Sequence, residues 1–132
     1  YELFDRNEPI IKTIKDNLTS ISMKAVKSNV FISASFFTIF SCGGGLVSHT
    51  HLNRLDKVKD LNLNNRKFSL VYYLSVGDQN CDEPGILKLE NPSQDILPNN
   101  GLIIIFPAGR KHSVFYKGKK DRIIIGVNFY SI

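Results

Sequence analysis

The strongest constraint on how this chain folds is its punctuation. From residue 29 onward, runs rich in β-branched and aromatic residues alternate with clusters of Gly, Pro and Asn, spaced about 8 to 14 residues apart as short strands and their turns require. Residues 29–42, NVFISASFFTIFSC, read as a long central strand, and Gly43-Gly44-Gly45 breaks it. Strands are expected next at residues 46–51, 67–76, 86–89, 102–106, 112–116 and 122–130. Residues 102–106, LIIIF, are apolar throughout and predict a buried strand. Between them lie the turn at 77–85 (GDQNCDEPG), the loop at Asn91-Pro92-Ser93, a tight turn closing residues 95–101, and the hairpin turn at 117–120. Upstream, residues 5–18 predict a short helix. Asn7 is placed to cap it, Glu8 and Pro9 suit its first turn, and Ile10, Ile11, Ile14 and Leu18 recur at helical spacing. From Ser20 the period drops to two, and Ile21, Met23 and Ala25 read as an edge strand. One helix and about eight short strands are expected to form a mainly β fold, a sandwich or small barrel. A jelly roll (double-stranded β-helix) with a short N-terminal helix suits the pattern best.

At 132 residues the chain is the size of one domain, residues 1–132. It opens on Tyr1 rather than Met, which leaves open that it is a piece of a longer protein. No run is long enough to span a membrane, and the first thirty residues are charged throughout, unlike a signal peptide. Two cysteines, Cys42 and Cys81, make no disulfide framework, so free thiols and a cytoplasmic setting are expected. The net charge of +5 is mildly basic. No nucleic-acid motif accompanies it, and a solvated basic surface accounts for it.

The chemistry gathers in two stretches. All three histidines lie in them: His49 and His51 in CGGGLVSHTHLNRLD, and His112 in FPAGRKHSVFYKGKKDR. On a strand, residues i and i+2 share a face, so His49 and His51 can present nitrogens to one ion, with His112 closing the site from a neighbouring strand. Imidazole suits Fe, Zn, Cu and Ni. Single histidines are more often surface or satisfied core residues; the His-x-His spacing and the residues after His112 favour a metal here. Residues 52–65 are polar, charged and aperiodic, and read as a loop over such a site; Arg54, Lys57 and Lys59 within it suit a polar or acidic substrate, either a small molecule or a protein side chain.

Six features in order carry a resemblance. They are the glycine turn Gly43-Gly44, His49 six residues after Gly43, Arg66 with Tyr72-Tyr73-Leu74 on a strand, the Pro98 to Gly101 turn before Phe106-Pro107, His112 in His-Ser-Val, and Arg122 ten residues beyond. From Gly43 onward the chain resembles the Fe(II)- and 2-oxoglutarate-dependent dioxygenases, in particular their prolyl-4-hydroxylase-like branch. The resemblance implies a jelly-roll hydroxylase with Fe(II) and 2-oxoglutarate as cofactors, in which substrate oxidation is coupled to decarboxylation of 2-oxoglutarate to succinate. It implies that His49 and His112 hold iron, that Arg122 binds the far carboxylate of 2-oxoglutarate, and that Tyr73 supports it. A guanidinium forks onto a carboxylate through two hydrogen bonds, which suits Arg122 to that task.

The family's usual motif is His-x-Asp, and here His51 stands where the carboxylate is expected. Three readings are open. His51 replaces the carboxylate in a three-histidine site, with weaker metal retention and altered redox tuning expected; or a carboxylate such as Asp56 completes the site; or the site is disabled. The favoured set is His49, His51 and His112 on the metal, with Arg122 and Tyr73 on 2-oxoglutarate. The alternatives are a three-histidine cupin-like metal dioxygenase without 2-oxoglutarate and a jelly-roll binding module without catalysis.

Overall fold

The computed structural model describes residues 2–132. Its eight strands are β1 (Val30–Phe40), β2 (Gly44–His49), β3 (Lys67–Ser75), β4 (Leu87–Leu89), β5 (Gln94–Ile96), β6 (Ile103–Pro107), β7 (His112–Tyr116) and β8 (Arg122–Ser131). They form two four-stranded antiparallel sheets, ordered β1-β8-β3-β6 and β2-β7-β4-β5. This is the expected jelly roll. The α-helix α1 (Pro9–Val26) lies against the outer face of the first sheet.

That sheet has interiors on both sides, and period-2 alternation divides its residues between them. On β8, Ile125, Val127 and Phe129 face the helix, where they pack with Leu3, Phe4, Leu18 and Leu70. The intervening Arg122, Ile124, Gly126 and Asn128 face the second sheet. On β3, Phe68, Leu70 and Tyr72 take the helix side, while Ser69, Val71 and Tyr73 turn inward. β1 needs a correction of phase to keep step with β8. Val30 and Ile32 pack toward the helix, and the register then shifts between Ile32 and Ala34. Beyond that bulge, Phe36, Thr38 and Phe40 point into the space between the sheets. One extra residue in a strand flips every later side chain to the other face.

The helix is longer than the sequence pattern predicts. It runs through Ile21, Met23 and Ala25, so these residues form no edge strand. The reason is Ser22. It sits on the buried face between Leu18 and Val26, where its hydroxyl donates to the Leu18 carbonyl at 2.7 Å. A serine satisfied by its own helix is buried at little cost, and its polarity imitates the alternation of a strand. The helix also starts later than expected. Glu8 is the N-cap residue with Pro9 in the first turn, and Asn7 lies outside. At the other end Lys27 closes it in the left-handed conformation, φ 56°. β5 is the strand that the sequence reading lacks; only three residues long, it pairs with β4 inside what reads as loop and turn.

Helical periodicity makes a clear prediction. Leu18→Ala, at a buried site, should destabilise the chain by about 2–5 kcal/mol. Met23→Ala, at a position 37% exposed, should change stability by less than about 1 kcal/mol. Urea unfolding of the two variants checks this; equal losses would contradict the burial of the Leu18 face of the helix.

Candidate metal and anion site

β7 carries the two ends of the site. His112 opens the strand and Tyr116 closes it, four residues or about 13 Å of strand apart. At the His112 end, β2 pairs alongside with His49 opposite His112. His51 lies beyond the end of β2, in a bend, and its backbone N–H donates to the Ala108 carbonyl at 2.9 Å. The two histidines therefore do not share a strand face, as their spacing predicts; the chain turns between them. The turn still brings all three imidazoles together. Ligand atoms of His49, His51 and His112 lie within 4.8 Å of one another. Ring centroids of His49 and His112 are 4.2 Å apart, and His51 stacks on His112 at 4.7 Å.

Two of the rings are held by the same device. His49 Nδ1 meets the Val47 carbonyl at 2.8 Å, and His112 Nδ1 meets the Arg110 carbonyl at 3.2 Å. A carbonyl only accepts, so each Nδ1 is the donor, and in a neutral ring that leaves Nε2 as the ligating nitrogen. His51 Nε2 stands 3.0 Å from His112 Nε2. Two imidazole nitrogens about 2.1 Å from one ion, at a right angle to each other, stand roughly 3 Å apart. The donor set fits a divalent transition metal. Burial pushes the His51 imidazole down to about 4, with further lowering from His112, His49 and Lys67. Burial also lowers His112, against a raising effect of the Arg110 carbonyl. Both are thus neutral and ready to ligate at physiological pH.

Asp56 is not part of this cluster. It is buried in a knot of its own. Lys67 donates to Oδ2 at 2.7 Å, the Asn53 N–H donates to the same oxygen at 2.8 Å, and the Tyr130 hydroxyl donates to Oδ1. Burial alone would raise this carboxyl; the Lys67, Tyr130 and Asn53 contacts outweigh it and hold the group below its ordinary range. With those oxygens committed, the carboxylate alternative at Asp56 is set aside, and among the described residues the cluster holds histidines alone. The knot also ties residues 52–65 to the sheet. That loop folds as two short 3-10 turns, Leu55–Lys57 and Lys59–Leu61, with Arg54, Lys57 and Lys59 exposed.

At the Tyr116 end stands Arg122, on the inward face at the start of β8 and 1% exposed. Its guanidinium lies 5.1 Å from the Tyr73 ring centroid and 5.7 Å from that of Tyr116. Nη1 donates to the Pro84 carbonyl at 3.2 Å. Nη2 has no hydrogen-bond partner among the described residues. Burial lowers the Arg122 pKa, which Tyr73 and Tyr116 partly offset; the group stays charged. Burial raises the Tyr73 hydroxyl, and the Arg122 charge opposes the rise. Tyr73 is the inward member of the Tyr72-Tyr73 pair, and Tyr72 packs toward the helix. His51, His112, Tyr73 and Arg122 line one cavity between the sheets, about 70 Å³ in volume. That holds several water-sized groups. Its walls include Leu46, Leu87 and Val114.

The sequence pattern does not single out Gly85, Arg110 or Tyr116. Tyr116 has a usable signal, since it comes after His112 and Val114 at period two. Gly85 reads only as the end of a turn, and the carbonyl of Arg110 leaves no trace in side-chain pattern.

No protein-family model matches the chain, and no curated protein matches its sequence. Solved structures do match its fold. A Burkholderia pseudomallei oxidoreductase of the 2OG-Fe(II) oxygenase family aligns with TM-score 0.67 at 16% identity, over 94% of this chain and 57% of that one. A Pseudomonas putida prolyl-4-hydroxylase aligns with TM-score 0.63 at 20% identity, over 91% and 62%. EvdMO1 aligns with TM-score 0.75 at 14% identity, over 98% and 34%. At such identities the likeness is one of fold. The chain spans 34% to 62% of the length of these proteins.

The buried groups of the site and its surroundings yield two expected outcomes. Lys67→Met strands the Asp56 charge and should cost about 3–5 kcal/mol, read from urea unfolding. His51 has a folded pKa, about 4, below its unfolded value of 6.5. Below pH 6.5 the unfolded chain then binds more protons, so the His51 contribution to the stability of metal-free protein should be lost as pH falls from 6.5 to about 4, and Asp56, held below its ordinary range, adds its own loss at lower pH. His51→Gln should remove that part of the slope in a series of unfolding midpoints against pH.

Proposed function

We propose that this chain is the jelly-roll domain of a non-haem iron oxygenase that consumes 2-oxoglutarate and acts as a hydroxylase. The observation that carries the reading is Arg122: a buried guanidinium with one nitrogen unpartnered among the described residues, in the same cavity as His51 and His112. An unmet donor on a buried cation is costly, and an anion entering the cavity meets it. An acid that chelates a metal at one end and carries a second carboxylate at the other matches both ends of the cavity.

Fe(II), when bound, supplies the redox chemistry: O2 is consumed, one oxygen atom enters a substrate C–H bond, and the other ends in the succinate formed as 2-oxoglutarate loses CO2. His49, His51 and His112 are placed to hold the ion through Nε2. Arg122 Nη2 would donate to the far carboxylate, and Tyr73, its ring 5.1 Å from the guanidinium, borders the same pocket. Three neutral imidazoles leave the full dipositive charge of the ion in place, where a carboxylate ligand would remove one unit. With the Arg122 charge added, the cavity is suited to a dianion. Exposed Arg54, Lys57 and Lys59 on the loop beyond His51 extend this positive field outward, toward a polar or acidic substrate.

A second reading is favoured by a cluster that, among the described residues, holds no carboxylate: a three-histidine dioxygenase of cupin type that uses no 2-oxoglutarate. Anaerobic titration of Fe(II)-loaded protein with 2-oxoglutarate separates the two. The proposed function expects a weak visible metal-to-ligand charge-transfer band, lost in His112→Ala and displaced to at least tenfold higher 2-oxoglutarate in Arg122→Ala. Iron bound without the band supports the second reading. Protein that takes up no iron would leave a binding module.

A further inference from the structure

We propose that Gly85 is the positioning residue that fixes where the Arg122 guanidinium stands, and so sets the affinity of the site for a 2-oxo dicarboxylic acid; this rests on the proposed function of the site.

Space around the guanidinium is the first observation. Gly85 closes the 77–85 segment between β3 and β4 in the left-handed region, φ +84°. A Cβ on it would stand 1.3 Å from Arg122 Nη1 and 2.5 Å from Cζ. No side chain fits there while the guanidinium keeps its place. The residue before it, Pro84, supplies the carbonyl that takes Nη1. One dipeptide thus gives the arginine head both its room and its anchor, and Nη2 is the nitrogen left to point at a ligand.

The rest of the cradle is closely packed and hydrogen-bonded. The Tyr116 ring beside the guanidinium is fully buried, and its hydroxyl accepts from the Asp78 N–H at 2.8 Å and donates to the Lys120 carbonyl. Gly77 and Gly118 pass so close to that hydroxyl that a Cβ on either would stand 2.2 Å from it. The guanidinium, by contrast, is the far end of a flexible side chain. A methyl group at position 85 therefore displaces the arginine head rather than the barrel. The ligand loses its donor while the fold bears only the backbone strain of a positive φ. Gly101 offers the matched control, with φ +85° and nothing within 4 Å of its would-be Cβ.

Isothermal titration of Fe(II)-loaded protein under nitrogen tests this with two probes, 2-oxoglutarate and pyruvate, which lacks the far carboxylate. Gly85→Ala should weaken 2-oxoglutarate at least tenfold and leave pyruvate within twofold of wild type. Gly101→Ala should leave both within twofold, with a similar drop in melting temperature. Equal 2-oxoglutarate affinities in Gly85→Ala and Gly101→Ala would overturn the proposal. A second variant guards against misfolding. In an Arg122→Lys background the colliding Nη1 is gone, so adding Gly85→Ala should have no further effect on 2-oxoglutarate. Failure of Gly85→Ala to fold in both backgrounds assigns the glycine to the fold and overturns the proposal; failure with Arg122 alone supports the collision. Wild-type protein that binds pyruvate as tightly as 2-oxoglutarate would sink the underlying reading of the site instead.

Discussion

The structure depends on one sheet serving two interiors at once. β3 and β8 send every second side chain to the helix and every other one to the space between the sheets. The helix side is filled by Leu70, Ile125, Val127 and Phe129, and it supplies much of the apolar burial. This frees the other side to hold polar groups, Ser69, Tyr73, Arg122 and Asn128, that a single-core sandwich of this size would struggle to bury. Ser69 donates to Asn128 Oδ1 at 2.8 Å, so that part of the wall is internally satisfied. The bulge in β1 belongs to the same scheme. Without its shift of phase, Phe36, Thr38 and Phe40 would face the helix side, and the cavity would lose a wall.

Two buried cations show two solutions to one problem. Lys67 is compensated in full, its ammonium on the Asp56 carboxylate and the carboxylate further bound by Tyr130 and Asn53. Such a pair anchors structure. Arg122 has the Tyr73 and Tyr116 rings 5.1 Å and 5.7 Å from its guanidinium and the Pro84 carbonyl on Nη1, and no carboxylate within salt-bridge reach appears among the described residues. Aromatic faces and a carbonyl soften the cost of burying a guanidinium without neutralising it. One buried cation is thus a finished ion pair, and the other is not.

Much of this is legible in the sequence, for definite reasons. Strands such as 102–106 and 122–130 announce themselves because β-branched runs bounded by Gly and Pro have few other folds. The histidines and Arg122 stand out because residue type limits the chemistry. The hidden parts depend on through-space facts. Ser22 hides the helix because its polarity is answered by a backbone carbonyl that no pattern shows. Gln94–Ile96 is too short to display a period. His51 leaves its strand because the chain bends after His49, and the tie to Ala108 that accompanies the bend is about sixty residues downstream. Asp56 is as eligible as any carboxylate by residue type, and only the positions of Lys67 and Tyr130 show it to be occupied.

The position of His51 has a consequence for the chain as a polymer. Because it lies on the segment after β2 rather than within the barrel, an ion shared by His51 and His112 would join two chain segments that are otherwise held at this point by the Ala108 hydrogen bond and the stacked rings. It would act as a reversible cross-link, closing a loop of about sixty residues much as a disulfide would, but made and unmade by metal supply. The bend that carries His51 would then be held more tightly with the ion than without it, while Asp56 keeps the 52–65 segment tied to the sheet in either state.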